Sequence, residues 1–123
     1  MIYIKKKIYE ELCTMWVPEE CGFVVGKKDK LEKIYKIKNI SKEENKFKMG
    51  FINKMKAVLD MMCHGYGFVI IYHVHEFNLF LSVEDIKNAI SKMIYLIVYK
   101  NKLYFYKIKK ESVDAVEYKV VGD

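Results

Sequence analysis

His73-Val74-His75 is the stretch of this sequence best suited to chemistry, and Asp85 follows ten residues after its second histidine. Residues two apart on a strand point to the same side, so both imidazoles can meet one metal ion. Asp85 can supply a third ligand. Two histidines and one carboxylate leave the fourth tetrahedral position of Zn²⁺ open to water, which is the pattern of a catalytic zinc site. Such a water ionises near neutral pH. Hydrolysis also needs a proton acceptor, and Glu19 and Glu20, between the lone Pro18 and the Cys21-Gly22 start of a strand, are both candidates. Their order alone does not choose between them. Ser82, just upstream of Asp85, can donate a hydrogen bond to the oxygen that becomes negative in a tetrahedral intermediate.

Each of these residues also has a plainer role. Ser82-Val83-Glu84-Asp85 reads as a capping box, with the serine closing a helix N-terminus and an acid three residues on returning the bond. A histidine pair beside aromatics can be ordinary core or surface histidine. Glu19 and Glu20 can be a solvated turn. Cys63-His64 is a competing ligand pair, but adjacent residues at a helix end rarely converge on one ion, so local packing is preferred there.

The elements that must position these groups follow from periodicity. Met1 to Ile4 alternates as a short strand, and Lys6 to Trp16 carries Ile8, Leu12, Met15 and Trp16 at helical spacing before Pro18. Gly22 to Gly26 is short and β-branched, with Leu31 to Ile40 as its hairpin partner across Lys27 to Lys30. Phe47, Phe51, Ile52, Met55, Val58, Leu59 and Met62 mark a second helix that stops at Gly65 and Gly67. Phe68 to His75 is nearly all apolar, as a central strand covered on both faces would be. Ser82 opens a third helix through Ile86, Ala89, Ile90 and Met93, and Ile94 to Tyr99, Lys102 to Ile108 and Ala115 to Val121 read as strands. The expected fold is α/β in the mixed α+β sense, a central mixed sheet with helices packed on its faces.

The 123 residues fit one domain, 1–123, and 52% of them are hydrophobic with a single proline, which is a globular composition. No apolar run approaches the roughly 20 residues needed to span a bilayer, and MIYIKKK has no signal core. A soluble, cytoplasmic protein with no membrane partner is expected. The net charge is +6, and all 22 basic residues are lysine. Without arginine for bidentate reading of guanine edges, specific nucleic-acid binding is disfavoured, and acidic partners are favoured. Three cysteines without a CxxC pair indicate reduced thiols and no disulfide framework.

Taken in order, the residues resemble the JAMM (MPN+) zinc metalloprotease motif: Pro18-Glu19-Glu20-Cys21-Gly22-Phe23-Val24-Val25-Gly26, then His73-Val74-His75, then Ser82-Val83-Glu84-Asp85. Ile86 to Ala89 and Tyr95 to Val98 continue the likeness, and Asn39 falls near an asparagine that often ends the family's second strand. The resemblance implies the family's cytidine-deaminase-like architecture, with one zinc ion held by His73, His75 and Asp85. It also implies that Glu19, not Glu20, takes the proton from the zinc-bound water, and that Ser82 stabilises the tetrahedral intermediate. The activity implied is isopeptidase cleavage after the C-terminal glycine of a ubiquitin-like or sulfur-carrier protein. Six residues separate His75 from Ser82, one fewer than is usual in the family, and Glu76 and Leu81 stand where prolines are common.

Two other functions compete. A non-catalytic MPN-like scaffold would keep the fold for protein assembly, but it gives no reason to retain both histidines, the aspartate and the glutamate together. A DNA-repair relative with the same metal motif would need a helical DNA-binding segment, for which this chain has no space, and arginines it lacks.

Overall fold

The computed structural model describes residues 1–17, 20–41, 48–75, 93–109 and 112–122. They form eight strands, β1 (Ile2–Lys5), β2 (Cys21–Lys27), β3 (Lys30–Ile37), β4 (Phe68–Val74), β5 (Ile94–Tyr99), β6 (Lys102–Ile108), β7 (Val113–Val116) and β8 (Tyr118–Val121), and two helices, α1 (Lys6–Cys13) and α2 (Phe51–Cys63). All strands belong to one mixed sheet, ordered β7-β6-β5-β4-β2-β3-β1-β8. The expected α+β class and mixed sheet are therefore observed, with sheet predominating.

The sheet is curled almost into a barrel, and the cause lies in its last residues. Ala115 to Val121 was expected as one strand. Instead β7 pairs with β6, the chain passes Glu117, and β8 pairs in parallel with β1 at the opposite edge. One extended stretch thus serves both edges of the sheet. The Ile2 amide donates to the Glu117 carbonyl at 3.0 Å, and Phe105 on β6 lies 5.2 Å from Tyr118 on β8, ring centre to ring centre. Helix α1 fills the concave side. Its Ile8 and Leu12, with Met15 beyond its end, pack into a core that draws Ile2, Leu31, Ile70, Leu96, Phe105 and their neighbours from most of the strands. Fully burying such side chains contributes about 1.5–3 kcal/mol each. Trp16, expected on this stripe, is 78% exposed, because the helix ends at Cys13 with Thr14 as its C-cap.

Helix α2 lies on the convex side and is anchored lightly. Only Ala57 and Met61 are buried among its residues, against Phe23, Val25 and Ile37. A polar clasp adds to this hold. Asp60 accepts hydrogen bonds from the Tyr35 hydroxyl and from Lys33 Nζ, and His64 Nδ1 lies 3.5 Å from the same carboxylate. The Tyr35 bond, helped by Lys33, holds the Asp60 carboxyl below its ordinary value. Gly65 ends the helix with φ of +71°, as its position in the sequence anticipates. The apolar face expected for α2 is instead the outer one: Phe51, Ile52, Met55, Leu59 and Met62 are exposed and Val58 is half-buried, because the helix turns Ala57 and Met61 to the sheet.

The hairpins follow local chemistry. Lys100 and Asn101 both have positive φ between β5 and β6, the backbone that a right-twisted two-residue turn requires. Between β3 and α2, Asn39 Oδ1 accepts from the Ser41 and Lys48 amides, each at 2.9 Å, so one side chain ties together the ends flanking residues 42–47. The third helix expected from Ser82 lies outside the described residues.

Candidate functional site

Strand β4 lies in the middle of the sheet, antiparallel to β2 and parallel to β5. Its alternation is strict. Ile70, Tyr72 and Val74 face the α1 core, while Val69 and Ile71 face α2. His73 continues this second row and His75 follows it past the strand end. The two rings stack with centroids 4.3 Å apart and an interplanar angle of 23°. This is the same-side arrangement that a two-residue spacing anticipates. His73 is only 4% exposed, flanked in register by Cys21 on β2 and Ile97 on β5, both fully buried. His75 is half-buried, and its amide donates to the Val98 carbonyl at 2.9 Å, which extends the parallel pairing with β5 beyond β4.

The Glu20 backbone, just ahead of β2, approaches the same end of β4. The Val74 amide, between the two histidines, donates to the Glu20 carbonyl at 2.9 Å. The Glu20 amide in turn donates to the Val17 carbonyl at 3.2 Å. The Glu20 backbone thus lies beside the histidine pair. Glu19, one peptide bond upstream, lies outside the described residues, as do Ser82 and Asp85. Of the five expected site residues, the described structure therefore places His73 and His75 together, and the other three are not described.

Two side chains and a glycine that periodicity does not single out shape this end of the sheet. Tyr72 and Gly22 are register partners, and a Cβ on Gly22 would stand 2.8 Å from Tyr72 Cε1 and 2.0 Å from the Tyr35 carbonyl oxygen. The glycine is what lets the Tyr72 ring lie flat against β2. The Cys21 thiol donates to the Ile37 carbonyl at 3.4 Å, so it serves strand packing on the face shared with His73. The Tyr72 hydroxyl is fully buried and has no hydrogen-bond partner among the described residues. Burial raises its pKa well above that of a free phenol, and the Glu20 carboxylate adds to the effect. An unsatisfied buried hydroxyl is a net cost. Tyr72→Phe is therefore expected to keep the fold and to raise stability by about 1 kcal/mol, read as a higher urea midpoint. A loss of stability would show that the hydroxyl is bonded after all.

The donor chemistry fits a divalent transition metal as far as it is described. Two imidazoles this close together are donor types that a transition metal takes as a pair. Among the described residues no group of three His, Cys, Asp or Glu side chains converges, so a metal on this pair would take its further ligands from outside them. Of the competing Cys63-His64 pair, the histidine is engaged locally. His64 Nδ1 lies 2.8 Å from the Asp60 carbonyl and its ring stacks on Tyr66, while Cys63 is exposed. None of the three cysteines is in a disulfide. No helix among the described residues is long and apolar enough to cross a membrane.

No family profile matches the sequence, and no curated protein matches it. Solved structures do. The chain is similar over 100% of its length to the solution structure of a Desulfitobacterium hafniense protein, 94% of which is covered, with 25% identity and a TM-score of 0.86. It is also similar over 99% of its length to the solution structure of a Salinibacter ruber protein, 92% of which is covered, with 14% identity and a TM-score of 0.63. Both likenesses extend over nearly the whole of each protein, so the chain shares its overall fold with them.

Proposed function

We propose that the chain is a zinc-dependent isopeptidase of the JAMM type, hydrolysing the amide after the C-terminal glycine of a ubiquitin-like modifier or sulfur-carrier protein. The observation that carries this reading is the stacked His73-His75 pair at the end of a central strand, with the Glu20 carbonyl bonded between them at Val74. A buried strand end that brings two imidazoles together, next to the Glu20 backbone, supports this reading. Packing alone does not call for that combination.

In this reading His73, His75 and Asp85 hold the metal. When bound, zinc supplies a Lewis acid that lowers the pKa of a water toward neutrality. Glu19 accepts the proton of the attacking water and passes it to the leaving amine, and Ser82 donates a hydrogen bond to the oxygen that becomes negative. Burial of His73 excludes water from one side of the site and fixes its ring, which lowers the cost of assembling the ligand set. The lysine-rich surface, at +6 overall, speeds encounter with an acidic modifier without fixing its identity.

The test is the metal content of protein purified without chelator, together with cleavage of a fusion to a ubiquitin-like sulfur carrier before and after chelation. One zinc per chain and chelator-sensitive cleavage are expected. Protein that binds no zinc under these conditions would overturn the reading.

A further inference from the structure

Helix α2 carries an apolar face that is largely exposed in the described structure. At about 100° per residue, Phe51, Ile52, Met55, Leu59 and Met62 fall within about 100° of the helix circumference, on the side opposite Ala57 and Met61. Phe51 is 76% exposed and Met62 71%, and the other three are exposed as well. Lys54 borders this stripe on one side and Lys56 on the other, both exposed. The helix has one acid, Asp60, which lies outside the stripe and is engaged by Tyr35 and Lys33. A contiguous apolar stripe of this kind marks a surface that meets something.

We propose that α2 is a peripheral docking helix that lays this stripe on an anionic lipid surface. The charges choose the occupant. A second copy would bring lysine borders against lysine borders in two chains of +6 each, a repulsive arrangement. The stripe is convex and offers no polar group to register a complementary protein face. An apolar stripe with lysines at both borders suits the interface between headgroups and acyl chains, where the lysine stems run along the apolar boundary and the ammonium groups meet anionic headgroups. No helix among the described residues is long and apolar enough to cross a membrane, but a helix lying in the interface plane needs no such length.

Full-length protein mixed with phosphatidylcholine vesicles, with and without phosphatidylglycerol, tests this by co-sedimentation at low and high salt. Binding is expected to the anionic vesicles alone and to weaken with salt. Leu59→Glu should abolish it, while Lys54→Ala combined with Lys56→Ala should weaken it by about 30-fold. Both changes are on exposed positions, so an unchanged urea midpoint is the control for folding. Failure of the wild-type protein to bind anionic vesicles would overturn the proposal. So would binding that survives Leu59→Glu, or a dimer in sedimentation velocity that Leu59→Glu dissociates, since a second copy would then cover the stripe.

Discussion

Glu19→Gln is expected to retain zinc at one ion per chain and to lower hydrolysis by about 10²- to 10⁴-fold. The amide is nearly isosteric with the carboxylate and keeps its hydrogen-bonding reach, but it cannot accept a proton from water or hand one to the leaving amine. Metal content should not change, because the proposed ligands are His73, His75 and Asp85. Asp85→Ala is the contrasting variant. Losing one ligand of three should cost the metal itself, and activity disappears as a consequence. Glu20→Gln separates the two adjacent acids. Its carbonyl, not its carboxylate, makes the bond to the Val74 amide, so the backbone arrangement survives and activity should stay within a few-fold of wild type. Single-turnover cleavage of a modifier fusion with zinc-saturated protein reads the chemical step apart from product release. Full activity in Glu19→Gln would move the base to Glu20 or to another group, and a Glu20→Gln variant that is inactive with zinc bound would say which.

Much of the sheet is legible locally because strand periodicity and turn chemistry are local properties. The hairpin of β2 and β3, the central β4 and the pair β5 and β6 all fall where alternation and polar turns place them. The same-side pairing of His73 and His75 is legible for that reason too, since a period of two depends on nothing outside the strand. What is not legible depends on partners far away in sequence. Ala115 to Val121 alternates as one strand, and nothing within it says that its two halves pair with opposite edges of the sheet. The apolar spacing of α2 shows that one face is hydrophobic but not which way it turns. In the fold the small Ala57 and the flexible Met61 are the residues that reach the sheet, while Phe51, Leu59 and Met62 stay outside. The contact of Tyr72 with Gly22 arises only from the register of β4 on β2 and so cannot be read from either strand alone.

Gly22 is where fold and site are most tightly joined, and Gly22→Ala should show it with a loss of about 3 kcal/mol in stability, at the upper end of overpacking costs. The added Cβ would stand 2.0 Å from the Tyr35 carbonyl oxygen, which is backbone of the neighbouring strand, and 2.8 Å from Tyr72 Cε1. Rotating Tyr72 away relieves only the second contact. The first can be relieved only by moving β2 off β3, next to the position where Cys21 faces both Ile37 and His73. The disturbance therefore reaches the histidine pair. Two other glycines give the comparison. Gly26→Ala meets the Lys30 carbonyl oxygen at 1.6 Å at the bulge between Val25 and Gly26, so it should also destabilise, but at the other end of β2, pairing with Phe68 and not with His73. Gly67 has nothing within 4 Å of its would-be Cβ, and Gly67→Ala should stay within about 0.5 kcal/mol of wild type. Urea midpoints rank the three variants, and the imidazole proton shifts of His73 and His75 report the local effect. Gly22→Ala should move both the midpoint and the histidine shifts, Gly26→Ala the midpoint alone, and Gly67→Ala neither. A Gly22→Ala protein as stable as wild type would mean that β2 and β3 yield without cost, and that the close approach of β2 to Tyr35 does not hold the histidine end of the sheet in place.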